Sequence, residues 1–152
     1  MVNLQGCIRL VVITALLAGC AVRGPETAPT EPMTASVELE GSPAMSLLQR
    51  ADAARQQGET TAAERYLERA LNIAPDSSWL YMTLADLRLF EGDARGAEGF
   101  ALKALRLAPD YPQYRADLWE MVATARERQG NKSGADEARR HAAEALTPGK
   151  PV

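Results

Sequence analysis

The chain has 152 residues, with 17 basic against 20 acidic side chains, a net charge of −3, only 5% aromatic residues, 2 cysteines and 1 histidine. That length admits one small domain rather than several. A mildly acidic balance argues against a nucleic-acid binder, which would present a clustered basic face.

The first segment is an address. Arg9 is the sole charged side chain ahead of the apolar run Leu10–Ala18, and that run falls well short of the ~20 residues needed to span a bilayer. A short apolar run with a basic flank and small residues behind it reads as a secretory signal peptide over residues 1–19. Its end, Leu17-Ala18-Gly19-Cys20, resembles the lipobox of bacterial lipoproteins. The resemblance implies cleavage before Cys20 and lipidation of that cysteine. Three acyl chains are then expected, whereas one alone holds a protein only marginally. Ala21 follows the cysteine where an aspartate would favour inner-membrane retention, so the resemblance implies the outer membrane, facing the periplasm. Cys7 leaves with the signal and Cys20 is lipidated, so no disulfide, zinc site or cysteine nucleophile is expected in the folded part. Losing Arg9 leaves 16 basic against 20 acidic side chains, a net −4.

Residues 20–43 read as the lipidated cysteine and a disordered tether. The stretch is rich in Pro, Thr, Glu and Ala (Gly24-Pro25, Thr30-Glu31-Pro32) and has few large apolar residues to offset ordering entropy. Fully extended it reaches roughly 75 Å at ~3.3–3.6 Å per residue; as a flexible coil it spans nearer ~25 Å.

Beyond the tether the composition turns to Ala, Leu, Arg and Glu with regularly spaced glycines, which predicts an all-α domain. Leu67-Glu68-Arg69-Ala70-Leu71-Asn72-Ile73-Ala74-Pro75-Asp76 recurs as Ala101-Leu102-Lys103-Ala104-Leu105-Arg106-Leu107-Ala108-Pro109-Asp110, and Gly58 and Gly92 keep the same offset of 34 residues, as do Ala63 and Ala97. In this it resembles the tetratricopeptide repeat (TPR) family, whose period is ~34 residues. The resemblance implies a solenoid of antiparallel helix hairpins, about six helices in all. Glycine ends the first helix of each hairpin in a left-handed conformation, and Thr60 or Asp93 caps the second. Ala51, Ala63 and Ala70, with Ala85, Ala97 and Ala104, allow close backbone approach, and Leu47, Leu67, Leu71, Leu84, Leu87 and Leu105 fill the space between. Pro75 and Pro109 stop the second helices. Two units result, 44–77 and 78–111.

A third hairpin, 112–147, is altered. Gly130 lies 38 residues after Gly92, so its first helix is about one turn longer and opens at Pro112, where proline is tolerated. Terminal repeats cap the stack against water and are expected to be atypical. A short tail, 148–152, follows. The helices are expected at 44–57, 60–74, 78–91, 94–108, 112–129 and 132–146.

Catalytic chemistry is hard to find. His141 sits on a charged last helix and reads as a solvated surface residue. No phosphate loop, His/carboxylate metal spacing or Gly-x-Ser-x-Gly elbow occurs. Asp52/Arg55, Glu64/Glu68 and Arg126/Glu127 have helix-surface spacing and are expected to face solvent. Neither an enzyme nor a cofactor is expected.

Binding is left. The TPR resemblance implies a concave ligand face lined by the first helix of each unit. It places Met45, Leu48, Gln49, Asp52 and Arg55 there, then Trp79, Met82, Thr83, Asp86, Leu89 and Phe90, then Asp117, Glu120, Met121, Thr124 and Arg128. Met45, Leu48, Trp79, Met82, Asp86, Phe90 and Met121 are the candidate partner-binding set, because Trp, Phe and Met offer large apolar area to a partner. Trp79 is expected to be exposed in the groove; Leu89 and Phe90 have packing under the tether or a neighbouring repeat as their alternative. A carboxylate clamp of Lys, Arg and Asn is not expected, since its positions hold Leu48, Asp52, Thr83, Asp117 and Met121.

The lipobox, the Pro-rich tether, the Leu67–Leu71 run and the lengthened helix around Trp119 together resemble the pseudomonad-type lipoprotein activators of bifunctional penicillin-binding proteins. That resemblance implies an outer-membrane protein whose partner is another envelope protein, a class A penicillin-binding protein, with the membrane engaged only through the lipid. The alternative is a structural adaptor of another envelope or secretion complex.

Overall fold

In the computed structural model of the chain, the described residues are 32–147. The signal segment, Cys20, the tether to residue 31 and the tail from 148 lie outside them. The described residues form seven helices and no strand: α1 (Ala35–Leu39), α2 (Pro43–Gln56), α3 (Thr60–Ile73), α4 (Ser78–Glu91), α5 (Ala94–Leu107), α6 (Pro112–Arg128) and α7 (Lys132–Ala145). From α2 to α7 the bounds agree with the expected helices to within one residue, and α6, at 17 residues against 14 for its neighbours, carries the extra turn that the glycine spacing demanded. None of the described helices is long and apolar enough to cross a membrane.

Local chemistry sets these boundaries. Ser42 accepts from the Ala44 N–H at 3.2 Å, with Pro43 in the first turn behind it. Ser77 accepts from Leu80 at 3.1 Å, Asp93 from Gly96 at 2.9 Å and Asn131 from Gly134 at 3.0 Å. Each bond satisfies an amide that its own helix cannot. The expected Thr60 cap is not formed: Glu59 occupies that position and makes no side-chain bond. Gly58, at φ +78°, turns the chain so tightly that the Glu59 N–H already bonds back to the Ala54 carbonyl at 2.9 Å, leaving Thr60 inside the helix. Gly92 (φ +85°) makes the equivalent turn, closed by Asp93 N–H to Arg88 O at 2.9 Å. Only glycine takes this left-handed conformation at no steric cost.

The core has two connected parts. Leu47, Leu48, Leu67, Leu80, Leu84 and Leu87 join alanines of α2 and α3 in the first. Tyr114, Leu118, Val122 and alanines of α4 to α7 make the second. Ala70, Ala85, Ala97, Ala101 and Ala104 are fully buried, so helix backbones meet across methyl groups while leucines fill the remaining volume. On α7 the buried side chains are only Ala135, Ala138 and Ala142, and its other faces are polar, as suits the end of a stack.

One part of the tether differs from expectation. Composition predicts disorder to residue 43, yet residues 33–42 fold back onto the repeats. Met33 is 7% exposed in the second cluster and Leu39 is 2% exposed in the first. A five-residue helix is too short to persist alone. Thr34 caps α1 through Val37, but docking of these two side chains holds it. Mean composition hides this, because two well-placed apolar residues suffice when a formed surface is waiting.

Candidate protein interface

The first helices of the three hairpins, α2, α4 and α6, carry the candidate residues, and their two ends differ. At the N-terminal end Trp79 lies flat on Tyr114, centroids 5.7 Å apart and planes within 9°. The Tyr114 hydroxyl is 2.8 Å from Ser78 Oγ, which also donates to the Ala104 carbonyl at 3.1 Å. This buried set ties the start of α4 to α5 and α6. Burial pushes the Tyr114 phenol well above its ordinary value; the Ser78 bond opposes this and the charge of Glu38 adds to it. Glu38 reaches this point from α1, where its two carboxylate oxygens accept from the Trp79 N–H at 3.2 and 3.3 Å. That amide lies in the first turn of α4, where anions are favoured by both the free N–H groups and the helix dipole.

The candidate residues at this end are therefore not a bare groove. Leu48 is 2% exposed, in the same cluster as Leu39 from the folded-back tether, so its placement on an open face is corrected: it is core. Trp79 is half-buried, packs on both clusters and stacks on Tyr114. Its expected free exposure is likewise corrected. Met45 is half-buried against the first cluster, and Met82 and Met121 against the second.

The C-terminal end is open. Phe90 is 64% exposed, the most exposed large apolar side chain among the described residues, while Leu89 is half-buried. Among the described residues, packing, the alternative held for both, applies in part to Leu89 and not to Phe90. The Leu89 carbonyl accepts from Arg128 of α6. Arg55 of α2 pairs with Asp86 of α4 at 3.3 Å. Burial raises the Asp52 pKa; Arg55 opposes that shift and Asp86 reinforces it. Gln49, Asp117 and Glu120 are exposed, and the Thr124 hydroxyl turns back to its own helix at Glu120 O, 2.9 Å. What this end offers is one large aromatic side chain beside polar and charged groups.

Other charged pairs expected in solvent are built into the helix seams. Arg126 donates from Nε to Glu98 at 2.7 Å and from Nη1 to the Gly134 carbonyl at 3.0 Å, so it joins α5, α6 and α7. Gln129 holds the second Glu98 oxygen at 2.8 Å. Glu64 pairs with Arg88 across α3 and α4. Spacing along one helix could not identify these bonds, because every partner comes from another helix. His141 rests on the Trp119 ring, centroids 4.6 Å apart, with Nδ1 3.3 Å from Glu144. It is 43% exposed, a surface residue as read, though stacked.

Comparison with known proteins agrees with this architecture. Residues 54–117 match the family model described as tetratricopeptide repeat. Among solved structures the chain is similar to the globular C-terminal domain of P. aeruginosa LpoP, with 40% identity and a TM-score of 0.64, over 66% of this chain and 95% of that one. It is also similar to the N-terminal domain of stress-induced protein-1 from C. elegans, with a TM-score of 0.63 over 69% of this chain and 86% of that one; at 19% identity that likeness concerns the fold alone. No curated protein sequence matches the chain.

Proposed function

The chain belongs to the tetratricopeptide-repeat family and shares 40% identity with the globular C-terminal domain of P. aeruginosa LpoP, and we propose on that premise that it is a lipid-anchored activator of a class A penicillin-binding protein. The observation that carries this reading is the 40% identity extending over 95% of the LpoP domain. A shared fold alone does not require so much identity. The rest of the reading comes from the sequence: a lipobox at Cys20, a following Ala21 and a tether that lets the repeats reach a synthase from the periplasmic face of the outer membrane. A repeat domain of this kind acts by holding a partner, so activation is read as selective binding of the synthase's active conformation. A ligand shifts such an equilibrium only by its difference in affinity for the two states.

We assign the docking surface to the open end of the α2/α4/α6 face, with Phe90 at its centre and Asp86 and Arg55 beside it. Met45, Met82, Met121 and Trp79 extend this surface towards α1. Exposed aromatic side chains that become buried on binding are frequent hot spots. The test is glycan-strand synthesis by the cognate synthase with and without the purified protein. Stimulation is expected with the native protein. It is expected to fall at least tenfold with Phe90→Ala, at unchanged thermal stability. No stimulation and no co-purification of the synthase would overturn the activator reading; full activity of Phe90→Ala would overturn the docking surface.

A further inference from the structure

The tether's folded end joins both core clusters. Met33 is buried in the cluster of Tyr114 and Leu118, Glu38 sits on the first turn of α4, and Leu39 is buried in the cluster of α2. The chain therefore passes from the cluster shared by the second and third hairpins, over the first turn of α4, to the cluster of the first, before turning at Gly41 (φ +71°) into α2. Its contacts have the form of a bound peptide: two buried apolar side chains and one carboxylate on the Trp79 amide. Val37, on the outer side of the same short helix, is 50% exposed, so the segment is held from one side only.

We propose that residues 33–42 are an intramolecular strap that occupies the N-terminal end of the α2/α4/α6 face as a ligand would and must leave before a partner can use that end. The displacing segment has the same chemistry, a carboxylate flanked by large apolar side chains. Release frees the Trp79 amide and uncovers the half-buried ring above Tyr114. It also adds ten residues to the tether, about 35 Å of contour at ~3.3–3.6 Å per residue. Occupancy of the face and reach from the anchor are thereby coupled, since the same residues supply both. This rests on the docking face assigned above only in what the strap regulates; the docking of the strap is independent of it.

The test uses the full chain in detergent. The Trp79 amide has Glu38 as its hydrogen-bond partner, so its hydrogen exchange reports strap docking. Met33→Ala combined with Leu39→Ala is expected to speed that exchange at least tenfold while amides in the middle of α4 keep their rates. Glu38→Gln, which retains both apolar anchors, is expected to speed it less. A labelled synthetic peptide of residues 32–42 is expected to bind the double variant at least tenfold more tightly than the native chain, and more tightly than a peptide carrying Glu38→Gln. Unchanged Trp79 exchange, equal peptide binding to both proteins, or loss of protection throughout α4 would each overturn the proposal. A concentration-dependent dimer that dissociates in the double variant would overturn it too, by showing that the strap docks on a second copy. No synthase is used, so these outcomes and those of the activation assay fail separately.

Discussion

Ser78 and Tyr114 differ in what each leaves behind when removed. In Tyr114→Phe, Ser78 still donates to the Ala104 carbonyl, so one hydrogen bond is lost and no buried group is stranded, a cost of about 1 kcal/mol. In Ser78→Ala the Tyr114 hydroxyl, on a residue only 4% exposed, loses the partner it has in the native structure, and the cost rises to ~1–3 kcal/mol. Denaturant unfolding is expected to rank Ser78→Ala as the less stable variant, and the reverse order would contradict this account of the network. The same distinction governs the choice of interface probes. Truncating Trp79 removes a ring stacked on Tyr114 and packed on both clusters, so affinity and stability change together. Phe90, largely in solvent, separates the two.

Among the helices, the seam between α5, α6 and α7 depends on Glu98 and Arg126. Burial alone would raise the Glu98 pKa, but hydrogen bonds from Arg126 and Gln129, with the Arg126 charge, hold it below the ordinary 4.5. A carboxylate with a depressed folded pKa contributes stability above its unfolded pKa and loses that contribution as pH falls through the folded value. Glu98→Gln is therefore expected to cost ~1–2 kcal/mol at neutral pH, the lower part of the range for charge-assisted bonds because the group is partly exposed. The gap from the native protein should close as the pH drops below 4.5. Thermal unfolding of both proteins across this range checks the sign, and a gap that widens in acid would refute it. Arg115 works similarly at the end of α5, where Nη1 approaches the Leu105 and Ala108 carbonyls at 3.4 Å and its charge favours the negative end of the helix dipole.

For the whole molecule, the proposed activity depends on location as much as on shape. A repeat domain without an anchor meets its partner only by free diffusion, whereas a tether raises the local concentration of any partner it can span. Cys20→Ser is accordingly expected to move the protein from the membrane fraction to the soluble fraction. In cells it should remove activation of the synthase, while purified protein at micromolar concentration still stimulates synthesis. Persistent membrane association of Cys20→Ser would refute the anchor, and undiminished activation in cells would refute its role.

The helices from α2 to α7 were legible because their causes are local and repeated. Glycine at a left-handed turn, proline behind a helix end and alanine at a close contact each act within a few residues, and the period of 34 in the sequence states them twice. The longer α6 followed from a single changed spacing, Gly92 to Gly130. The face carrying the candidate residues was legible as helix positions, but its state was not. Leu48 and Trp79 occupy groove positions in the repeat, yet Leu48 is buried in a cluster that Leu39 joins from distant sequence, and Trp79 is stacked on Tyr114. Glu38 and Met33 sit in a stretch whose composition predicts disorder. Arg126 has the spacing of a surface residue and becomes a cross-helix pin only because Glu98 and Gly134 stand opposite. The repeat and the order of its helices follow from the amino-acid sequence, since these depend on turns and packing residues at fixed offsets. Which end of the face is closed, which residue stands open and whether residues 33–42 dock on the repeats depend on which side chains meet across helices, and only the folded chain shows these.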